Sequence, residues 1–253
     1  MKKLLGLLFI GSAFALVSCE TTREITLKAD GSGTLVTTTD MSGLIAIAKM
    51  SGQGKEMDSS EKSVDTTISL DKIADSIPDL SAAERELVKK GKLGLNLSMA
   101  DEKLFTKLQF PFTSTNQISV LDQLSAKVMQ QAMKKQMEGD DSGTTPPIPT
   151  DEMPKANMDE YFTITYAKGL IEKKHIPEKY ADVANDKGMQ SLKEMAGEGM
   201  PMNTTLIFNL PKPVKKAEGK NVKLSDDKRK VTIVNSVEDF FNDVTKLEFR
   251  IEY

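Results

Sequence analysis

Cys19 is the one thiol in 253 residues, and it closes the tetrad Leu16-Val17-Ser18-Cys19. A small residue followed by a cysteine, behind an apolar run, has the pattern of a lipobox. Cleavage falls between Ser18 and Cys19, and the freed cysteine carries acyl chains on its thiol and its amine. Lys2 and Lys3 make a positive leader, and residues 4–17 are apolar or small throughout. That run is a secretory h-region, too short to span a bilayer. The expected division is a removed signal peptide at 1–18 and a mature part at 19–253. A lone cysteine also argues against disulfides and thiolate metal sites.

The other reactive side chains form weaker patterns. His175 is the single histidine and follows Lys173 and Lys174. A base or metal ligand needs partners, and no second histidine or thiol exists to join it, so it reads as a surface residue. Ser-x-x-Lys occurs at Ser59–Lys62, Ser69–Lys72 and Ser225–Lys228. The Lys-Thr-Gly element that accompanies it in serine–lysine acyl enzymes is absent. There is no Gly-x-Ser-x-Gly elbow, P-loop, His-Glu-x-x-His or EF-hand loop. The expectation is a non-enzymatic chain with no catalytic residues, metal or cofactor.

Methionine is common, at 14 residues. Met129, Met133 and Met137 fall at i, i+4 and i+8 on one helical face, and Met195 stands in a second methionine-rich region with Met189, Met200 and Met202. Flexible thioethers fill cores, and they also line plastic apolar grooves. Met129, Met133, Met137 and Met195 are the candidate groove residues for a lipid or a partner helix.

Loss of Lys2 and Lys3 with the signal takes the formal charge from -3 to -5. A mildly acidic chain is a poor non-specific nucleic-acid binder, so no nucleic-acid partner is expected. The absence of tryptophan, with 6% aromatic residues, speaks against sugar stacking. Beyond the leader, no apolar run approaches membrane-spanning length.

The elements that must carry these residues can be placed by period and punctuation. Residues 23–39 read as a hairpin turning at Asp30-Gly31-Ser32-Gly33. Ser42 is expected to cap a short helix to Met50, and 51–63 is a polar loop. Residues 64–70 read as a strand, and Ser81-Ala82-Ala83-Glu84 as a capping box opening a helix that Gly91 ends. A second hairpin with apolar faces Leu93-Leu95-Leu97-Met99 and Leu104-Leu108-Phe110-Phe112 precedes a helix, capped by Asn116 or Ser119, to about Met137. The two hairpin–helix units fit either an internal duplication or chance.

Residues 138–159 carry four prolines and several acids, and are expected to form a flexible loop interrupting a single domain. Strands follow at 161–166 and 204–210, with a helix at 178–196 broken near Gly188. Val222 to Leu224 and Val231 to Val234 flank a turn, and Ser236 caps a helix over 237–242. Leu247, Phe249, Ile251 and Tyr253 alternate with polar residues as a half-buried strand. Hairpins with helices and no steady βαβ alternation give α+β: an antiparallel, curved sheet with helices on one face.

The segment Arg23-Glu24-Ile25-Thr26-Leu27 with its Asp-Gly-Ser-Gly turn, the stretch Asn209-Leu210-Pro211-Lys212-Pro213-Val214, and Leu224-Ser225-Asp226-Asp227 ahead of a short helix and final strand resemble uncharacterised lipoproteins of Bacteroidota-type envelopes. The first hairpin also looks like the start of LppM-type lipoprotein domains. The resemblance covers both ends and not 51–80 or 138–200. It implies an envelope location and no known activity, and only Cys19 carries over as a functional residue.

Two readings follow: a lipid-anchored envelope protein acting through protein contacts, or a binding module for lipid or another apolar ligand. Residues 20–22 are expected to act as a tether of roughly 10–14 Å between anchor and first strand. Glu20 is not the aspartate of inner-membrane retention, and 20–24 lack the acidic run of surface export. The outer membrane, facing the periplasm, is the expected location. Asp65-Thr66-Thr67 and Asp75-Ser76-Ile77 match a short O-glycosylation pattern of such envelopes.

Overall fold

The first hairpin is built by its turn. β1 (Cys19–Leu27) and β2 (Gly33–Asp40) pair antiparallel from Leu27↔Gly33 to Glu20↔Asp40. Between them Asp30 accepts hydrogen bonds from the Ser32 amide (3.0 Å) and hydroxyl (2.7 Å), and Gly31 takes φ +86°. These bonds hold the Asp30 carboxyl below its usual range. The turn supplies no set of cation ligands. The computed structural model describes residues 19–43, 45, 63–98, 100–139, 157–197 and 202–253.

Gly33 is required for space. A Cβ there would overlap the Thr26 carbonyl oxygen and come within 2.5 Å of the buried Phe112 ring. Gly33→Ala is expected to cost about 1–3 kcal/mol through overpacking, read as a fall in the urea midpoint. An unchanged midpoint would contradict this packing.

Residues 42–43 are helical, but the Ser42 amide donates to the Asp40 carboxylate (2.9 Å), so Asp40 serves the role expected of Ser42. Most of the expected 42–50 helix and the 51–63 loop lie outside the described residues, apart from Ile45 and Ser63. β3 (Ser63–Ser69), β4 (Lys92–Ser98) and β5 (Lys103–Phe112) continue the sheet. Every residue of β3 is exposed, while Leu70, just beyond it, is fully buried.

Between β3 and β4 stand α1 (Asp71–Ser76), which the sequence reading lacked, and α2 (Ala82–Lys89). The Ser81–Glu84 capping box is formed, with Ser81 N to Glu84 Oε2 at 2.8 Å and Glu84 N to Ser81 Oγ at 3.2 Å. Gly91 is needed for space rather than for φ, since a Cβ would lie 2.5 Å from the Phe110 ring.

α3 (Ile118–Gly139) is entered through a 3-10 turn (Thr115–Gln117) capped by Ser114, rather than by Asn116 or Ser119. β6 (Phe162–Ala167) and β7 (Leu170–His175) form a hairpin whose second strand was not expected. α4 (Pro177–Ala181) and α5 (Lys187–Gly197) replace the single broken helix. The break falls at 182–186, because Asp186 accepts from the Met189 amide (3.1 Å) and starts α5; Gly188 lies inside the helix.

The chain then adds β8 (Met202–Asn209), β9 (Lys216–Glu218), β10 (Val222–Leu224) and β11 (Lys230–Ser236). Last come α6 (Val237–Asn242), capped by Ser236, and β12 (Phe249–Glu252). Leu247 is buried, but in a 3-10 turn (Val244–Leu247) ahead of the strand. Phe249, Ile251 and Tyr253 are buried as expected, and Tyr253 N bonds to Gly169 O at 3.1 Å.

The strands form two open sheets, ordered β10-β11-β8-β1-β2-β5-β4-β3 and β6-β7-β12-β9. The class is α+β with mostly antiparallel pairing. One pair departs from expectation: β1 and β8 run parallel. β8 is far from β1 in sequence, so no turn constrains its direction.

A core cluster includes Ile25, Leu35, Phe110 and Phe208 from the larger sheet and Ile171, Phe249 and Ile251 from the smaller. The α3 face Ile118, Leu121, Leu124 and Val128 packs into the same cluster. A second cluster gathers around Phe240, whose ring meets Tyr161, Tyr180 and Phe241 edge-on at 5.5, 5.4 and 5.1 Å. Such edge-to-face contacts add to the burial term.

Candidate functional site

Four charged side chains from four elements meet at β1. Arg23 lies on β1, four residues after Cys19. Asp122 is on the inner side of α3, where it stands one turn from Ile118 on the buried stripe. Asp159 comes from a 3-10 turn (Met158–Tyr161) whose start is capped by Asn157, which accepts from the Asp159 amide at 3.1 Å. Lys173 alternates with Ile171 along the inner face of β7 and is 5% exposed.

Asp159 is the hub. It accepts from Lys173 Nζ at 2.6 Å and from an Arg23 terminal nitrogen at 3.1 Å. Arg23 Nε stands 3.4 Å from Asp122 Oδ1, without hydrogen-bond geometry, so both atoms are buried and lack a hydrogen-bond partner. Lys173 also lies over the Phe162 ring, 4.2 Å from its centre, a cation–π contact.

The two carboxylates are driven apart. Burial alone would raise Asp159, but Lys173 and Arg23 outweigh it and hold this group well below the usual carboxylate range. For Asp122 burial wins: it is pushed up to about 6, opposed by Arg23 and reinforced by the Asp159 charge. The Tyr166 hydroxyl, buried beside Asp122, is pushed far up and stays neutral.

The two shifts have opposite consequences for pH. A carboxyl raised in the folded state binds its proton more readily folded than unfolded, so its penalty is relieved as pH falls through about 6. Asp122 should therefore contribute up to about 3 kcal/mol of acid-side stabilisation, about half of it reached by pH 5. Asp122→Asn removes it. Urea midpoints of wild type and variant should converge or cross between pH 7.5 and 5, and parallel profiles would refute the assignment. Asp159 acts oppositely, since its contribution is lost once pH drops below the ordinary carboxylate range.

This cluster was missed in the sequence. Residues 138–159 were expected to form a loop, yet α3 runs to Gly139 and Asp159 is fixed in an ordered turn. The rest of that loop, 140–156, lies outside the described residues. The available signal was Asp122, a charge on the apolar stripe of a helix.

Cys19 opens β1 and pairs in register with Met202 of β8, while Glu20 pairs with both Asp40 and Asn203. The expected tether is therefore corrected: residues 20–22 are part of strand β1, as is Cys19 itself. Ser18 and the leader lie outside the described residues.

Of the four candidate groove methionines, the side chains of Met129 and Met195 are described, and they lie on different helices. Met129 is half-buried at the margin of the core cluster, and α3 packs on α1, α2, β5 and β6. Met195 is half-buried on α5, which packs on α6 and the 3-10 turn at Val183–Asn185. Met133 and Met137 continue along α3, and their side chains lie outside the described residues, as do Met200 and Met99. Met189 is fully buried in the second cluster.

His175 is not a free surface residue. Its Nδ1 lies 2.6 Å from Glu248 Oε1, and its ring meets Tyr180 edge-on at 6.1 Å. Glu248 in turn lines an open depression of about 680 Å³ on the smaller sheet, where Lys174 and Arg250 both pair with Glu172 (3.1 and 2.8 Å) and Lys220 pairs with Asp243 (2.8 Å).

Among the described residues, no three histidine, cysteine or acidic groups could hold a metal ion, and no helix is long and apolar enough to cross a membrane. Ser225 of the Ser-x-x-Lys pattern donates to Asp227 at 2.6 Å as a turn former. The Ser76 hydroxyl donates to Ile73 O (2.8 Å) and accepts from Gln131 (3.3 Å), so it is tied up at a helix end, whereas Thr66 is exposed.

No family model and no curated protein matches the chain. Among solved structures, the NMR structure of the folded domain of LppM from Mycobacterium tuberculosis aligns over 93% of this chain and 90% of its own. The identity is 9% and the TM-score 0.38, and at that level the likeness carries no functional reading.

Proposed function

We propose that the chain is a lipid-anchored, non-enzymatic protein of the bacterial envelope that acts through protein contacts close to the membrane. The carrying observation is the Leu16-Val17-Ser18-Cys19 tetrad behind its apolar leader, with strand β1 opening at the same cysteine. The non-enzymatic reading rests on the sequence, which has one histidine, one cysteine and none of the nucleophile-elbow, metal or phosphate-loop motifs. The outer membrane, periplasmic face, is the proposed location, on the Glu20 argument above.

The experiment is metabolic labelling with radioactive palmitate in a bacterial host, with intact-mass measurement of the mature protein. The expected result is label on the protein and a mass equal to residues 19–253 plus a diacylglyceryl and an acyl group. An unlabelled protein with a free Cys19 thiol would overturn the reading.

A further inference from the structure

The register of the larger sheet places an unusual row of residues at the level of Cys19. On one side Cys19 pairs with Met202. On the other, the step beyond Glu20↔Asp40 is Met41, whose amide donates to Leu104 O at 2.8 Å. Leu104 pairs with Leu97, and Leu97 with Val64. Met202, Met41, Leu104, Leu97 and Val64 therefore continue the Cys19 row across β8, the residue just past β2, β5, β4 and β3. All are apolar, and none is buried; Val64 is 37% exposed.

The next row inward changes character. Asn203, Glu20, Asp40, Phe105, Asn96 and Asp65 alternate to the opposite face. Beyond it Thr204, Thr21, Thr39 and Thr106 form a threonine row. The packed core begins only further along, at Ile25, Leu35 and Phe110. An apolar row at a sheet end, separated from the core by rows that are polar apart from Phe105 and Leu95, and absent from the core cluster, is not a continuation of that core.

We infer that this strand-end row is the surface that sits on the phospholipid bilayer, with the sheet standing upright on it. The inference rests on the Cys19 anchor proposed above. Acyl chains that start from a hydrogen-bonded strand residue leave the sheet no free tether, so whatever neighbours Cys19 in register is brought to the membrane with it. The apolar row then meets the headgroup–acyl boundary, while the turn at Asp30-Gly31-Ser32 points away. Eight residue steps along β1 put that turn about 26 Å from the anchor level. The adjacent row carries Glu20, Asp40 and Asp65, so attraction to anionic lipid plays no part, and the contact should be insensitive to salt.

The chain has no tryptophan, so each introduced one is a unique probe. Leu104→Trp reports the row; Phe105→Trp, one step inward on the opposite face, reports the same end of the sheet through an aromatic-for-aromatic change; Lys28→Trp reports the far turn. The acylated full chain is reconstituted into phosphatidylethanolamine–phosphatidylcholine vesicles containing brominated phosphatidylcholine, floated on a density gradient, and its fluorescence compared with unbrominated vesicles. The expected result is flotation of all variants, with quenching at residues 104 and 105 exceeding that at residue 28 by about threefold or more, given the ~26 Å separation. Flotation with equal or reversed quenching overturns the upright orientation and leaves the anchor standing. Failure to float overturns the anchor, and this inference with it.

Discussion

A Cys19→Ala variant should accumulate as the full 253-residue precursor, take no palmitate label, and lose the acyl-dependent membrane association of the wild type. The effect is expected to be all-or-none, because the acyl chains supply the membrane affinity and each buried methylene contributes about 0.8 kcal/mol. Two or three chains on one residue cannot be replaced by the row of partly exposed side chains around it. The same substitution should leave the fold alone. Cys19 is the first residue of β1 and contributes its backbone to the pairing with Met202. Alanine keeps that backbone, so in a leaderless 19–253 domain the unfolding free energy should move by less than about 0.5 kcal/mol. Separation of the two readouts is the test: processing and label report the anchor, unfolding reports the domain. Normal processing of the variant would show that the thiol is not the modified group.

Asp159→Ala should be the most destabilising of the charge substitutions, at about 3 kcal/mol. It removes the shared partner of Lys173 and Arg23 and leaves a 5%-exposed ammonium without its 2.6 Å carboxylate. Breaking a buried ion pair from one side costs roughly 3–5 kcal/mol, because the remaining charge is uncompensated. The partial exposure of Asp159, 31% for its side chain, places the expectation at the low end. Lys173→Met in the same background should restore part of the loss, about 1–2 kcal/mol, since it removes the stranded charge and keeps the packing against Phe162. A cost under about 1 kcal/mol with additive double-variant behaviour would show that the cluster does not hold the two sheets and α3 together. Chemical denaturation of the four-member cycle at pH 7 and moderate salt measures this directly.

Local chemistry made much of the fold legible. The Asp30-Gly31-Ser32-Gly33 turn, the Ser81–Glu84 capping box and the Ser236 cap each bond within four residues, so their outcome depends on neighbours in sequence. The alternation of Phe249, Ile251 and Tyr253 survives because a strand buried on one face needs that period. Where a cap or break was misassigned, a nearby competitor won: Ser114 over Asn116 and Ser119, Asp186 over Gly188, Asp40 over Ser42. Leu247 kept its burial but not its strand, since a 3-10 turn also turns an apolar residue inward.

The ion cluster was illegible for a different reason. Arg23, Asp122, Asp159 and Lys173 are spread across 151 positions of sequence, and each looks like an ordinary surface charge until burial brings them within 2.6–3.4 Å. Charges carry no period, so nothing local marks which of them will be desolvated. The strand that presents Lys173 was itself missed, because Glu172, Lys173, Lys174 and His175 read as a solvated run.

By itself the sequence determined the α+β class, the first hairpin and the half-buried final strand, all of which follow from residue type and short-range spacing, and it supplied the lipobox pattern at Cys19 on which the proposed anchor rests. The tertiary structure alone decided that residues 20–22 are strand, that β1 runs parallel to β8, that Met129 and Met189 belong to different clusters, and that the proton affinities of Asp122 and Asp159 shift in opposite directions. Those outcomes depend on which distant segments share one core. Register, burial and local dielectric are properties of that assembly, and no stretch of chain carries them before it folds.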